Sequence, residues 1–392
     1  MKSFYSGTNN LKEFFLPKIN STQINKFFNK LQKTHHASDV ALYSSGRVAL
    51  FSCLKSMGIS EGDEVIVSSF TCIVVINSII YAGGTPVYTD IDLSNFNQNE
   101  DEIISKINKN TKFIILQHTF GIKSDFTKVR NFIKEHEIKI IEDWAHFYED
   151  GPLQSDAIFI SSDHSKVVNT VSGGILITKD HIIKDDYKLQ LSSNFILEIK
   201  TKVTFLLDLM RTSPKNSMNI FNFIYKVFNK LNLTSFSKNE SLLRKPNNYE
   251  TGMTKFSAKI LINQFKNINK NLNHRVDIAS ILNSHISWYK PENISLKKNT
   301  WLRYSFLVRN RKEFCRLLKI DERELWFTYP LQGMSYDPKI INYDVLLYPN
   351  ALFASEHIIN LPTHLKMSKQ DFTKVIESVT NKNIINLIEQ ND

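Results

Sequence analysis

The chain has 392 residues, 42% hydrophobic and 22% charged, with three cysteines and a formal net charge of +10. This length and balance fit a soluble globular chain with room for one large and one smaller domain, and exclude a disordered tail or a disulfide-stapled miniprotein. Cys53, Cys72 and Cys315 are far apart and form no CxxC, so neither a metal site nor a disulfide framework is expected. That cysteine usage fits a reducing cytoplasm best; no apolar run reaches the roughly 18–20 residues of a spanning helix and the opening residues lack a signal-like stretch, so neither secretion nor membrane spanning is expected. The lysines are scattered among Asn and Ile with no basic block interleaved with aromatics, and no nucleic acid partner is expected.

In chain order, a possible strand at 41–43 precedes a helical pattern near residues 46–57. EVIVSS from Glu64, a helix near 72–82, PVYTDI from Pro86, a helix near 100–107 and KFIILQ from Lys112 follow. A helix near 125–135 leads to IKIIED from Ile138, AIFISS from Ala157 and GILIT from Gly174. The strands are short, apolar and β-branched, as strands covered on both faces are. Their alternation with helices predicts crossover connections, hence an α/β fold with a mostly parallel sheet whose ligands bind beyond the strand carboxyl ends.

Three polar segments fall at those ends. In SSGRVALFSCLKSMG, Ser45 and Gly46 open an amphipathic helix whose free N–H groups and positive dipole end suit a phosphate, or merely carry a serine cap. IKIIED ends in Glu142 and Asp143, before Trp144, Ala145 and His146. A carboxylate there either caps a helix or keeps a pyridinium nitrogen protonated, which strengthens that ring as an electron sink. In AIFISSDHSKVVNTVSGGILIT, Ser161 and Lys166 lie in a polar loop between apolar strands; Lys166 is either a Schiff-base lysine or one more solvated lysine.

The order and spacing of these segments resemble the DegT/StrS-type sugar aminotransferases, which are fold type I pyridoxal-phosphate (PLP) enzymes. SGRVAL stands where that family has SGTAAL, HTFG from His118 where it has HLYG, and IIEDWAH where it has VIEDAAQ. SSDHSKVVNTVSGG matches the loop of its Schiff-base lysine, and YETGMTKFSAKILINQF matches its YNYRMTELQAAIGLEQL. The resemblance resumes at ALFASEHIINLPTHLKMSKQDF and leaves residues 181–245 and the first few dozen without a clear counterpart.

The resemblance implies a large PLP-binding domain over 1–270, with 181–245 as a helical insertion, and a smaller α+β domain over 271–392. It implies that Lys166 holds the cofactor and shuttles protons, that Asp143 pairs with the pyridine nitrogen, and that His146 lies near the phenolic oxygen. Gly46, Arg47 and Val48 with the Ser161 hydroxyl would cradle the phosphate; Arg47 replaces the usual Thr and either pairs with that phosphate or points to solvent. A glutamate donor, a keto-sugar acceptor generally carried on a nucleotide, and a homodimer with sites at the interface are also implied.

Departures from the family pattern matter as well. Cys72 occupies the place of an aromatic that stacks on the cofactor, and Glu250 and Gly252 stand in the segment that reaches a neighbouring subunit's phosphate. His164 replaces a proline, but Lys166 is retained where related sugar dehydratases carry His, which favours aminotransfer over dehydration. Residues 200–231 hold a basic amphipathic stretch containing Ile220, Phe223 and Val227, which either packs on protein or lies peripherally on an anionic membrane. The same departures allow a second reading, a catalytically weakened relative serving as a sugar-binding or membrane-docked assembly partner.

Overall fold

The computed structural model describes residues 9–212, 220–235, 245–286, 290–292 and 294–367, with Thr373, Ile376 and Glu377. Seven strands form the central sheet: β1 (Asp39–Tyr43), β2 (Glu64–Ser68), β3 (Thr85–Thr89), β4 (Thr111–Gln117), β5 (Lys139–Asp143), β6 (Ala157–Ser161) and β7 (Gly174–Thr178). Their spatial order is β1-β7-β6-β5-β4-β2-β3. Strands β3, β2, β4, β5 and β6 pair in parallel, and β7 alone runs against its neighbours, pairing antiparallel with β6 and β1. Nearly every strand residue is buried, because helices cover both faces.

The crossover helices match the sequence spacing. After α1 (Ser21–His35) come α2 (Gly46–Ser56), α3 (Ile73–Ala82) and α4 (Glu100–Lys106). Helix α3 stops where Gly83 takes φ 101°, a left-handed cap that glycine adopts without strain. The helix expected near 125–135 is shorter, α5 (Thr127–Phe132), continued by a 3-10 turn at Ile133–Glu135.

The segment at 181–245 contains two helices, α6 (Phe195–Arg211) and α7 (Ile220–Lys230); its residues 213–219 and 236–244 lie outside the described residues. Of α7 only Tyr225 is buried, while Ile220, Phe223 and Val227 are exposed together with Phe195 and Ile196 at the start of α6. Helices α8 (Lys255–Phe265) and α9 (Ile268–His285) follow, so α9 runs unbroken across position 270. The C-terminal part pairs β8 (Arg303–Leu307) antiparallel with β9 (Ile358–Pro362), beside α10 (Arg311–Leu318) and α11 (Pro349–His357). One apolar cluster joins Ala41, Leu50 and Ile76 of the sheet region to Ile278, Trp301 and Leu361, so both regions share a core. No helix among the described residues is long and apolar enough to cross a membrane.

Candidate active site

A cavity of about 550 Å³ opens beyond the carboxyl ends of the parallel strands, within the range of roughly 300–1,000 Å³ typical of ligand pockets. Its wall includes Gly46, Arg47, Cys72, Asp143, His146, Ser161 and Lys166. Seven of the eight residues singled out in the sequence therefore meet in one place. Val48 does not line the cavity; its side chain packs into the core, so only its backbone N–H can serve a ligand.

Side chains alternate along a strand, and the adjacent carboxylates at the end of β5 accordingly go separate ways. Glu142 accepts from His118 Nε2 (2.9 Å), Arg130 Nη2 (2.9 Å) and Trp144 Nε1 (3.0 Å). Burial pushes this carboxyl up, but those partners overcome it and hold it at about 2. Asp143 faces the cavity and accepts from the Ala145 N–H at 2.8 Å. Burial pushes Asp143 up to about 6, against the pull of that bond and of Lys166 and His118. A buried carboxyl with one such N–H bond suits a protonated ring nitrogen, whose charge would favour the ionised form.

The N-terminus of α2 lies beside Ser161. A Cβ on Gly46 would stand 2.9 Å from the Ser161 Cβ, so the close approach of this helix to the end of β6 needs glycine. Ser45 is the N-cap, yet its side chain makes no cap hydrogen bond, and its hydroxyl is buried with no partner. The N–H groups of Gly46, Arg47 and Val48 belong to the first turn, where no helical acceptor exists. An orphaned hydroxyl, the Ser161 hydroxyl, open helical N–H groups and the Arg47 guanidinium together make a donor set that fits a phosphate.

Arg47 can thus be tested as the cationic part of this cradle. Arg47→Thr, although it restores the family's usual residue, is expected to weaken PLP retention by tens-fold, since removing one partner of a buried charged hydrogen bond costs about 2–5 kcal/mol. Dialysis with absorbance at matched ionic strength reads this directly. Equal retention by mutant and wild type would place Arg47 elsewhere.

Lys166 is half-buried, and its Nζ lies 4.7 Å from the centre of the Trp326 ring. Burial lowers its pKa, with Arg303 adding to the shift and Cys72, Asp143 and Asp163 opposing it. The lysine therefore gives up its proton more readily than a solvated one. His146 Nδ1 accepts from the Phe120 N–H at 3.2 Å, and burial, with Lys166 and Arg303, holds the ring neutral. That bond leaves Nε2 as the protonated nitrogen, a donor suited to a phenolic oxygen. The ring is stacked on Trp326 (5.2 Å) and Phe327 (5.8 Å), which fixes its plane.

The departures noted in the sequence have local explanations. Cys72 lines the cavity, while aromatic walls come instead from Trp326, Phe327 and Tyr336 in the C-terminal part. Glu250 is paired with Lys245 and does not line the cavity. Gly252 sits so close to the segment leading into α6 that a Cβ would stand 1.8 Å from the Gln190 carbonyl oxygen, so no larger residue fits this backbone path. The surrounding segment docks on its own chain: Ser44 N–H donates to the Thr251 carbonyl at 2.9 Å, and Tyr249 Oη donates to the Arg47 carbonyl at 3.4 Å.

Sequence reasoning missed Arg211, Tyr225 and Asn229 of the inserted helices, and Trp326 with Phe327, all of which line the cavity. Nothing in their local sequence marks them, because their role comes from where the fold brings distant segments.

A sequence profile of the DegT/DnrJ/EryC1/StrS aminotransferase family matches residues 18–380. The chain is 32% identical over 172 residues to GDP-perosamine synthase of Escherichia coli O157:H7, a stretch covering 41% of this chain and 46% of that protein. It thus spans under half of that relative's length. It is 25% identical over 382 residues to the spore coat polysaccharide biosynthesis protein SpsC of Bacillus subtilis (strain 168), covering 93% of this chain and 89% of the other. Among solved structures it is similar to NtdA from Bacillus subtilis with bound cofactor PMP, at TM-score 0.66 and 18% identity, covering 95% of this chain and 78% of the other. That likeness shows a shared fold.

Proposed function

Because the chain belongs to the DegT/DnrJ/EryC1/StrS aminotransferase family, whose members work with PLP, we propose that it transfers an amino group from glutamate to a keto sugar carried on a nucleotide, for polysaccharide or glycoside biosynthesis. The observation that carries this reading is the meeting of Lys166, Asp143 and the Ser45, Arg47 and Ser161 cradle in one cavity at the strand ends. PLP, when bound, supplies the electron sink. Lys166 would hold the cofactor, and its Nζ, with a lowered pKa, would take and return protons during transfer. Asp143 would hold a protonated ring nitrogen and His146 Nε2 would donate to a phenolic oxygen, in a cavity walled by Trp326 and Phe327. Retention of Lys166 favours aminotransfer over a dehydration that dispenses with it.

The homodimer and a cytoplasmic location belong to the same proposal. The apolar exposure of Phe195, Ile196, Ile199, Phe223 and Val227 supports a partner surface on the inserted helices, which a second copy would cover. Sedimentation showing only monomer would remove that part. The function itself is tested by supplying nucleotide-linked 3- and 4-keto sugars with glutamate to PLP-loaded protein and measuring 2-oxoglutarate. Sugar-dependent 2-oxoglutarate is expected for at least one acceptor. Release of ammonia and a dehydrated sugar instead would overturn the reading in favour of a dehydratase.

A further inference from the structure

The inserted helices reach into the site. Helix α6 ends at Arg211, and α7 carries Tyr225 and Asn229; all three line the cavity that holds Lys166. Arg211 Nε donates to Asp208 Oδ1 at 2.8 Å, and its guanidinium carbon lies 4.5 Å from the centre of the Tyr225 ring. The other Asp208 oxygen pairs with His164 Nδ1, two residues before Lys166. Both His164 and Asp208 are buried. A chain of contacts thus fixes the Arg211 guanidinium relative to the lysine loop, so a group held by Arg211 has a set position relative to Nζ.

The charges in the wall have separate uses. Lys166, Arg47 and Arg211 face the cavity together with Asp143 and Asp163. In the reading above, Asp143 serves a ring nitrogen, while Arg47 and the α2 terminus serve one phosphate. Arg211 lies on different elements from that cradle, and the cofactor reading gives it no ligand. Guanidinium meets carboxylate and phosphate oxygens as a planar fork, and the Tyr225 ring keeps that plane in place.

We propose that Arg211, braced by Asp208 and Tyr225, with Asn229 in the same cavity wall, forms an anion subsite for the substrate, built by the inserted helices. The subsite takes an oxyanion, either the carboxylate of the amino donor or the diphosphate of the sugar carrier. This rests on the aminotransferase reading and deepens it. The test uses PLP-loaded wild type, Arg211→Ala and Arg211→Lys, titrated calorimetrically with 2-oxoglutarate and separately with UDP. Arg211→Lys keeps a cation beside Asp208, so the fold is retained even if the alanine variant is unstable.

Wild type is expected to bind at least one probe, and both variants to lose roughly thirtyfold or more for it, since lysine lacks the planar fork. The cofactor absorbance band should stay intact. Loss confined to 2-oxoglutarate assigns the donor carboxylate, and loss confined to UDP assigns the carrier. Unchanged affinities, binding of neither probe by wild type, or loss of PLP in place of probe affinity would overturn the subsite. Wild type that forms no visible band with PLP would instead bring down the aminotransferase reading beneath it, a result separable from all of these.

Discussion

Lys166→Ala is expected to lower turnover by roughly 10⁴-fold, the upper end of what a positioned acid–base group contributes. Among the described residues Lys166 is the lysine lining the cavity, together with Asp143, and its pKa is lowered by burial. In the proposed reading, the change removes both the covalent hold on the cofactor and the group that moves protons at the reacting carbon. Because the cavity and the phosphate cradle remain, PLP should still bind noncovalently, and a small added amine such as methylamine should restore part of the activity. Turnover within tenfold of wild type without added amine would mean that another group does the work.

Asp143→Asn should separate chemistry from folding. With cofactor and substrates present, turnover is expected to fall by roughly 10²–10³-fold, because asparagine cannot offset the charge of a protonated ring. Without cofactor the variant should be more stable than wild type at alkaline pH. The folded value of Asp143, about 6, lies above the 3.8 of an unperturbed carboxyl, so the folded state disfavours ionisation. That penalty is absent well below pH 4, grows as pH rises toward 6, and is fully present above it. A difference of about two pH units corresponds to roughly 3 kcal/mol, enough to raise the melting temperature by several degrees. Thermal melts of both cofactor-free proteins at pH 4 and pH 8 check the sign: the gap between the curves should be small at the lower pH and much larger at the higher. Equal melting at pH 8 together with normal turnover would remove Asp143 from the site.

Much of the fold was legible because its signals are local. Each sheet strand is a short apolar run, and most crossover helices fall within a residue or two of their expected places. The candidate site was legible where it uses strand ends: Asp143 at the end of β5, Ser161 at the end of β6 and Gly46 at the start of α2 are fixed by the segments that carry them. Trp326 and Arg303 were not legible, since the guanidinium carbon 3.9 Å from the Trp326 ring centre joins the turn after α10 to β8 only in the folded chain. The inserted helices were read from their amphipathic pattern alone, which gives a face but not its partner. That pattern left packing and membrane contact open and gave no hint that Arg211 and Tyr225 meet the cavity. Gly252 was legible as a departure but not as a cause, because the Gln190 carbonyl that excludes a side chain lies 62 positions earlier in the chain.

The proposed covalent attachment at Lys166 is the point on which the rest depends. Protein saturated with PLP, reduced with borohydride, digested and mapped by mass spectrometry should carry the phosphopyridoxyl group on the peptide containing His164, Ser165 and Lys166, with Lys166 as the modified residue. A label on any other lysine, or no label on cofactor-saturated protein, would contradict the assignment of the site.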